Sequence, residues 1–323
     1  MKSILEPQKA LLKNGKVIPF GIYDGLIEDT RTSFWDVEGF FPKRRRSQRK
    51  CWIYFGSFAP DLYTGIAVVD AGYVATAFAY FYIPSKDLFV EDKLTLPFGF
   101  GEKFDPNLYD NWELGNFKIA TKNNKIEIAY KGKFDLNIET ENNTNGLSFV
   151  CPSEGRPFNF TYKNLLLPSN VKLIYKKETF LSDGNSGGID FSKGYPPNKT
   201  IWNWASMVGK TKSGIEIAIN IVNQHNANME NAVWLDGERH ILSDVIFEKK
   251  MPYDKTPWHI KTKEDCLLLD FVPQGARAEN LNLIALKSQF TQPYGVFSGS
   301  IKINGKTEKF TGNGVVEDHL AVW

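Results

Sequence analysis

The chain carries almost no excess of charge: 39 Lys and Arg stand against 37 Asp and Glu, a formal net charge of +2. That balance excludes nucleic acid as the expected partner, because no polyanion-binding surface follows from bulk electrostatics. Cysteine is scarce. Cys51, Cys151 and Cys266 have no paired spacing, which excludes a disulfide framework or a zinc cluster and leaves them as reduced core thiols. No apolar run reaches the roughly 18 residues of a membrane helix, and Met1-Lys2-Ser3-Ile4-Leu5-Glu6-Pro7 lacks the apolar stretch of a secretory signal. A protein with no integral membrane segment, in the cytoplasm, is expected. His225, His240 and His259 are dispersed without ligand spacing, so no metal is expected. No Gly-x-Ser-x-Gly, Walker or dinucleotide glycine motif is present, which weakens hydrolase and nucleotide-dependent readings and predicts no cofactor.

Hydrophobic residues, by contrast, make up 42% of the 323 positions, enough to fill one large or two ordinary cores. Helical periodicity is rare and two-residue alternation common, the pattern of an antiparallel all-β protein. Lys125-Ile126-Glu127-Ile128-Ala129-Tyr130 and Phe134-Asp135-Leu136-Asn137-Ile138-Glu139 alternate across a Lys131-Gly132-Lys133 turn. Asn304-Gly305, Asn14-Gly15 and Asp236-Gly237 are dipeptides suited to type I′ turns. The chain also echoes itself. Trp52-Ile53-Tyr54 precedes Gly65-Ile66-Ala67-Val68 much as Trp202-Asn203-Trp204 precedes Gly214-Ile215-Glu216-Ile217, and the segment from Ile119 to Ile126 resembles that from Ile260 to Leu267. Two echoes in the same order predict a duplicated β unit, with halves 1–165 and 166–323.

The stretch from Gly187 to Pro197, followed by Trp202-Asn203-Trp204, is the densest in candidate chemistry. Glycines and prolines predict an irregular loop, and alternation puts both indoles on one face of the next strand. Asp190 in that loop is a candidate general acid if aromatic walls desolvate it; the alternative is a turn carboxylate accepting backbone N–H groups. Glu230 either faces a pocket or pairs with a base, while Asp236 reads as a turn former. In Glu317-Asp318-His319 only Glu317 and His319 share a strand face. Such a pair can shuttle a proton or close the C-terminal strand as a hydrogen-bond clasp, but it is short of a zinc site. Lys43-Arg44-Arg45-Arg46, with Arg49 and Lys50, is the one concentrated basic run. It reads as a solvated loop, the alternative being weak contact with anionic headgroups helped by Phe40 and Phe41.

Several segments together carry a resemblance: Ile189-Asp190 through Trp202-Asn203-Trp204-Ala205, Glu230-Asn231-Ala232-Val233-Trp234-Leu235-Asp236-Gly237, Pro257-Trp258-His259-Ile260, Ser288-Gln289-Phe290-Thr291-Gln292, and Gly314 through Trp323. They resemble the family termed domain of unknown function 2804. That family is distantly similar to the double-lipocalin group, which includes carotenoid hydratases, fungal decalin-forming cyclases and a yeast sphingolipid carrier. The resemblance implies two calycin-like β-barrels packed side by side, and a placing of Asp190 similar to that of a hydratase proton donor. The expected function is binding of a hydrophobic small molecule, a lipid or isoprenoid, with Trp202, Trp204, Trp234, Trp258 and Gln292 as ligand-binding residues. The alternative is a cofactor-independent hydratase, isomerase or cyclase using Asp190 with Glu230 or His319, and a further one is a structural or partner-binding module.

Overall fold

A computed structural model describes residues 3–32, 46–97, 99–100, 104–122, 124–283 and 286–323. Among them, strands form a thirteen-stranded sheet, a nine-stranded sheet and a two-stranded ribbon, and helix is confined to short turns. The chain divides into two compact units, Ile4–Pro196 and Pro197–Trp323, the second also including Ser3. The expected division near residue 165 falls inside the strand Arg156–Tyr175, whose hairpin partner Glu178–Gly194 also belongs to the first sheet.

In the first unit the meander Lys50–Phe58, Tyr63–Asp70, Val74–Ile83 and Leu88–Pro97 is followed in space by Glu178–Gly194 and Arg156–Tyr175. The sheet then continues through Asp135–Glu141, Lys125–Lys131, Phe117–Lys122 and Trp112–Leu114. It curls into a nearly closed barrel around Phe55, Ile66, Phe81, Ile128, Leu136 and Phe191. Trp112 meets Phe191 edge to face with ring centroids 5.7 Å apart, a favoured geometry for aromatic quadrupoles.

The second unit repeats this order. Lys199–Thr211, Glu216–Asn223, Ala232–Leu235 and Glu238–Ile241 form the meander, and Lys306–Val322 with Leu286–Ile303 forms the long hairpin beside it. Leu267–Leu283, Trp258–Thr262 and Val245–Glu248 follow. This sheet curls only to a half-barrel, over a core of Ala205, Met207, Ile219, Trp258, Phe271, Phe297 and Val316. The all-β architecture expected from the alternation and the lipocalin-like form implied by the resemblance are therefore both present. The Trp52 and Trp202 echo joins equivalent hairpins. The echo between Ile119 and Ile260 does not: the hairpin from Trp258 to Leu283 adjoins the long hairpin directly, whereas Phe117–Lys122 and Lys125–Lys131 stand one strand further out.

Turn chemistry follows the dipeptides: Asn14-Gly15, Asp236-Gly237 and Asn304-Gly305 all have positive φ at both residues, as a type I′ turn requires. The glycine run before Asp190 behaves otherwise. The strand Glu178–Gly194 continues through it, with a bulge at Asp183 and Gly184, where Gly184 has positive φ, while Gly187 and Gly188 supply space rather than a bend. A Cβ on Gly187 would lie 2.5 Å from Phe55 Cζ, and one on Gly188 would lie 2.3 Å from Leu165 Cδ2.

Candidate functional site

The two long hairpins place matching rows of side chains on the sheet face turned away from each core. In the first unit Tyr54, Asp190 and Lys163 stand opposite one another across three strands, next to the row Trp52, Ser192 and Thr161. In the second unit Trp204 stands opposite Glu317, which Gln292 contacts from the far side, next to the row Trp202, His319 and Phe290. Glu317 thus occupies in the second sheet the place of Asp190 in the first, with Gln292 in the place of Lys163.

Asp190 lies in the strand Glu178–Gly194 rather than in a loop, and no turn amide among the described residues donates to it. Lys163 Nζ lies 2.5 Å from its Oδ2, and Ser192 Oγ, itself 2.6 Å from Thr161 Oγ1, lies 3.0 Å from its Oδ1. An acid held in an ion pair and fed by hydroxyl donors is an acceptor, a geometry that favours anchoring over proton donation.

Glu317 has a different shell. Trp202 Nε1 donates to Oε1 at 2.7 Å and Gln292 Nε2 donates to Oε2 at 2.9 Å. These contacts fix the Gln292 amide, since only its NH₂ can face a carboxylate. Its Oε1 is left buried with no donor against it among the described residues. His319 Nδ1 lies 3.4 Å from Glu317 Oε1, and its Nε2 lies 2.8 Å from Ser288 Oγ. The imidazole packs between Trp202, at 4.1 Å between ring centroids, and Phe290, at 5.0 Å and 78°. Arg277, opposite Gln292, lays its guanidinium over Phe290 at 4.8 Å.

Glu230 lies outside this cluster but touches its edge. Its carboxylate accepts from Asn226 Nδ2, and its backbone carbonyl accepts from Asn220 Nδ2 at 2.8 Å, while Trp204 Nε1 donates to Asn220 Oδ1 at 2.8 Å. Asn220 therefore bridges Trp204 to a tight turn in which Asn226, Ala227 and Asn228 all have positive φ, so Glu230 clasps a loop. Trp234 shares the sheet face of Trp204, since its neighbour Val233 belongs to the core. Trp258 is fully buried in that core. The expected wall of four tryptophans is thus divided between the two faces of one sheet. A cavity of about 400 Å³, on the first sheet, is lined by Glu113, Lys118, Tyr130 and Asn137 among others, and by none of these tryptophans. No group of three or more His, Cys, Asp or Glu among the described residues is arranged to hold a metal.

Of the described members of the basic run, Arg49 and Lys50 are buried and Arg46 is partly buried, rather than solvated. Arg46 pairs with Asp70 at 2.7 Å, Arg49 with Asp105 at 2.5 Å, and Lys50 Nζ donates to the carbonyls of Ser47 and Ala71. Lys43, Arg44, Arg45, Phe40 and Phe41 lie outside the described residues. Burial pushes Lys50 down to about 7, opposed by Asp70. Its folded pKa is below its unfolded value, so the unfolded chain binds more protons between these limits and stability rises with pH across that window. Urea midpoints should climb between neutrality and about pH 10, by up to roughly 3–5 kcal/mol for this residue. Lys50→Met should remove that part of the slope, and an unchanged slope would refute the assignment.

Burial likewise pushes the Cys51 thiol up to about 12, so it is inert as a nucleophile. All three cysteines are free.

A double sheet with duplicated strand order, carrying a polar cluster on the face behind each core, defines a lipocalin-like double-barrel class. The chain belongs to the family Domain of unknown function (DUF2804), whose profile matches residues 1–323. Solved structures similar in fold include the following two. Kievitone hydratase from Nectria haematococca is 14% identical, with 98% of this chain and 97% of that one covered and a TM-score of 0.57. An AttH assignment from Nitrosomonas europaea is 13% identical, with 84% and 92% covered and a TM-score of 0.54. No curated protein sequence matches. No helix among the described residues is long and apolar enough to cross a membrane.

Sequence reasoning singled out Trp202, Trp204, Gln292 and His319, which the second sheet gathers around Glu317. It missed Lys163, Asn220, Arg277 and the role of Ser288. The signal that reaches Lys163 is the echo of Trp202 and Trp204 in Trp52 and Tyr54, once the strand opposite each pair is known.

Proposed function

We propose that this chain binds a hydrophobic, unsaturated small molecule against the Trp202 and Trp204 face of its second sheet, and that Glu317 with His319 moves a proton on it in a hydratase-type reaction. The observation that carries this reading is a buried carboxylate, 7% exposed as a residue, clasped by an indole and an amide beside an imidazole held between two rings. Aromatic faces attract the positive charge that develops when a double bond is protonated, and a carboxylate and imidazole within reach of one another supply the acid and base. The unpartnered Gln292 Oε1 is an acceptor for the O–H of a water or of the ligand. The hydratase among the similar folds lends the reading a chemical precedent.

On this reading the pair of Glu317 and His319 moves the proton rather than Asp190, whose lysine partner makes it an anchor. Binding without turnover is the second reading, favoured by the same aromatic rows. The test is incubation with a panel of isoprenoid and aryl alkenes in heavy-oxygen water, followed by native mass spectrometry of the protein and product analysis. A retained apolar adduct together with labelled water in the product supports the proposal. An adduct with no label reduces it to a carrier, and neither signal across the panel sinks both readings.

A further inference from the structure

Ser288, His319 and Glu317 form a string that the reaction above does not use in full. Ser288 Oγ lies 2.8 Å from His319 Nε2, and His319 Nδ1 lies 3.4 Å from Glu317 Oε1. His319 Nδ1 makes no hydrogen bond to the carboxylate 3.4 Å away, but the nearby anion still favours a proton on it, since a lone pair so close to the charge would be repelled. Nε2 is then the basic nitrogen, and the 2.8 Å contact is a hydroxyl donating to it. That is the connectivity of a nucleophile, a general base and the acid that orients the base.

The ring cannot readily swing away, since Trp202 and Phe290 flank it. Glu317 is fixed in turn by Trp202 Nε1 and Gln292 Nε2. The Nδ1 approach is not a hydrogen bond in this structure, where Nδ1 is buried with no hydrogen-bond partner among the described residues and Glu317 Oε1 receives the indole N–H; it has to close in the substrate complex, as catalytic hydrogen bonds do. Ser288 is partly buried and the His319 side chain is 13% exposed, so the hydroxyl lies near the edge of the cluster rather than under it.

We propose that Ser288, His319 and Glu317 are a second activity of this chain, an acyl-transfer unit acting on carboxylic esters with an apolar acyl or aryl group. Ser288 Oγ bonds to the ester carbonyl carbon as its proton passes to His319 Nε2. The alkoxy C–O bond then breaks, and the leaving oxygen takes that proton. Water, deprotonated by the same nitrogen, opens the acyl-serine and returns the proton to Ser288. The step needs no oxidant and no cofactor. The inference shares Glu317 and His319 with the function proposed above but adds Ser288, which alkene hydration does not require.

The intact protein is treated with a long-chain alkyl fluorophosphonate, which reads the nucleophile directly: fluoride leaves and a phosphonyl group remains. One adduct is expected, mapped to Ser288 by peptide mass spectrometry and absent from Ser288→Ala. His319→Phe, which keeps a ring between Trp202 and Phe290, should slow labelling by about 100-fold, as loss of a general base does. Hydrolysis of para-nitrophenyl octanoate should fall in parallel in both variants. Absence of label at Ser288 overturns the proposal, as does label at the same rate in His319→Phe. Circular dichroism on each variant separates loss of fold from loss of reactivity. Ser288→Ala that still binds and hydrates an alkene, alongside an unlabelled wild type, sinks this inference and leaves the hydratase reading standing.

Discussion

Asp105→Asn should destabilise the first unit by about 3–5 kcal/mol, the cost of leaving a buried cation without its counter-charge. Arg49 Nη1 lies 2.5 Å from Asp105 Oδ1 and 2.8 Å from Thr32 Oγ1, and its Nη2 lies 2.5 Å from the Phe104 carbonyl. Lys193 Nζ contacts the same carboxylate oxygen and the Pro106 carbonyl, while the amide of Thr32 donates to Oδ2 at 2.7 Å. The Arg49 and Lys193 side chains are fully buried, and that of Asp105 is 5% exposed. One carboxylate therefore holds two desolvated cations, and burial already pushes the Lys193 pKa down. An asparagine keeps the shape and loses the charge, so the two cations repel at close range. A loss of this size is a large share of the roughly 5–15 kcal/mol that holds a domain folded. Urea unfolding measures it. The double variant Asp105→Asn with Lys193→Met should recover part of the loss by removing one stranded charge, and a single variant within about 1 kcal/mol of wild type would show that the cluster is not held by this carboxylate.

Glu317→Gln should reduce alkene hydration by about 100-fold or more, the usual contribution of a positioned acid or base, while ligand capture persists. The substitution keeps volume but presents an NH₂ where Trp202 Nε1 or Gln292 Nε2 now donates. One buried donor is left facing another, at about 1–3 kcal/mol, which urea midpoints should register separately from turnover. Asp190→Asn is the matched control at the equivalent position of the first sheet. It should lower stability through loss of the Lys163 ion pair yet leave turnover within a small factor of wild type once folding is corrected for. A large turnover loss in Asp190→Asn with an unaffected Glu317→Gln would reverse the assignment of the acid.

Much of the architecture was legible along the chain, because alternation and turn chemistry are local. The meander from Lys125 to Glu141, the three type I′ dipeptides and the Trp52 and Trp202 echo all rest on residues within a hairpin of one another. Gly187 and Gly188 misled for an equally physical reason. Glycine signals either a bend or a close approach, and which one applies depends on whether a ring such as Phe55 lies on the neighbouring strand. The basic run misled because a cation buried by partners at Asp70 and Asp105 has the same local sequence as one in water.

The sequence by itself determined the all-β class, the hairpins, and the side of each strand on which Trp202, Trp204, Glu317 and His319 fall, since the strand period of two follows from backbone geometry alone. Only the tertiary structure decided which acid stands where. Asp190 and Glu317 come to equivalent positions because each unit folds a long hairpin back against its first meander strand. Whether the residue across the next strand is Lys163 or Gln292 then depends on register between strands distant in the chain. That register is fixed by packing of the core face, Ile189 and Phe191 in one unit and Val316 in the other, because a slip by one residue would turn those side chains out of the core.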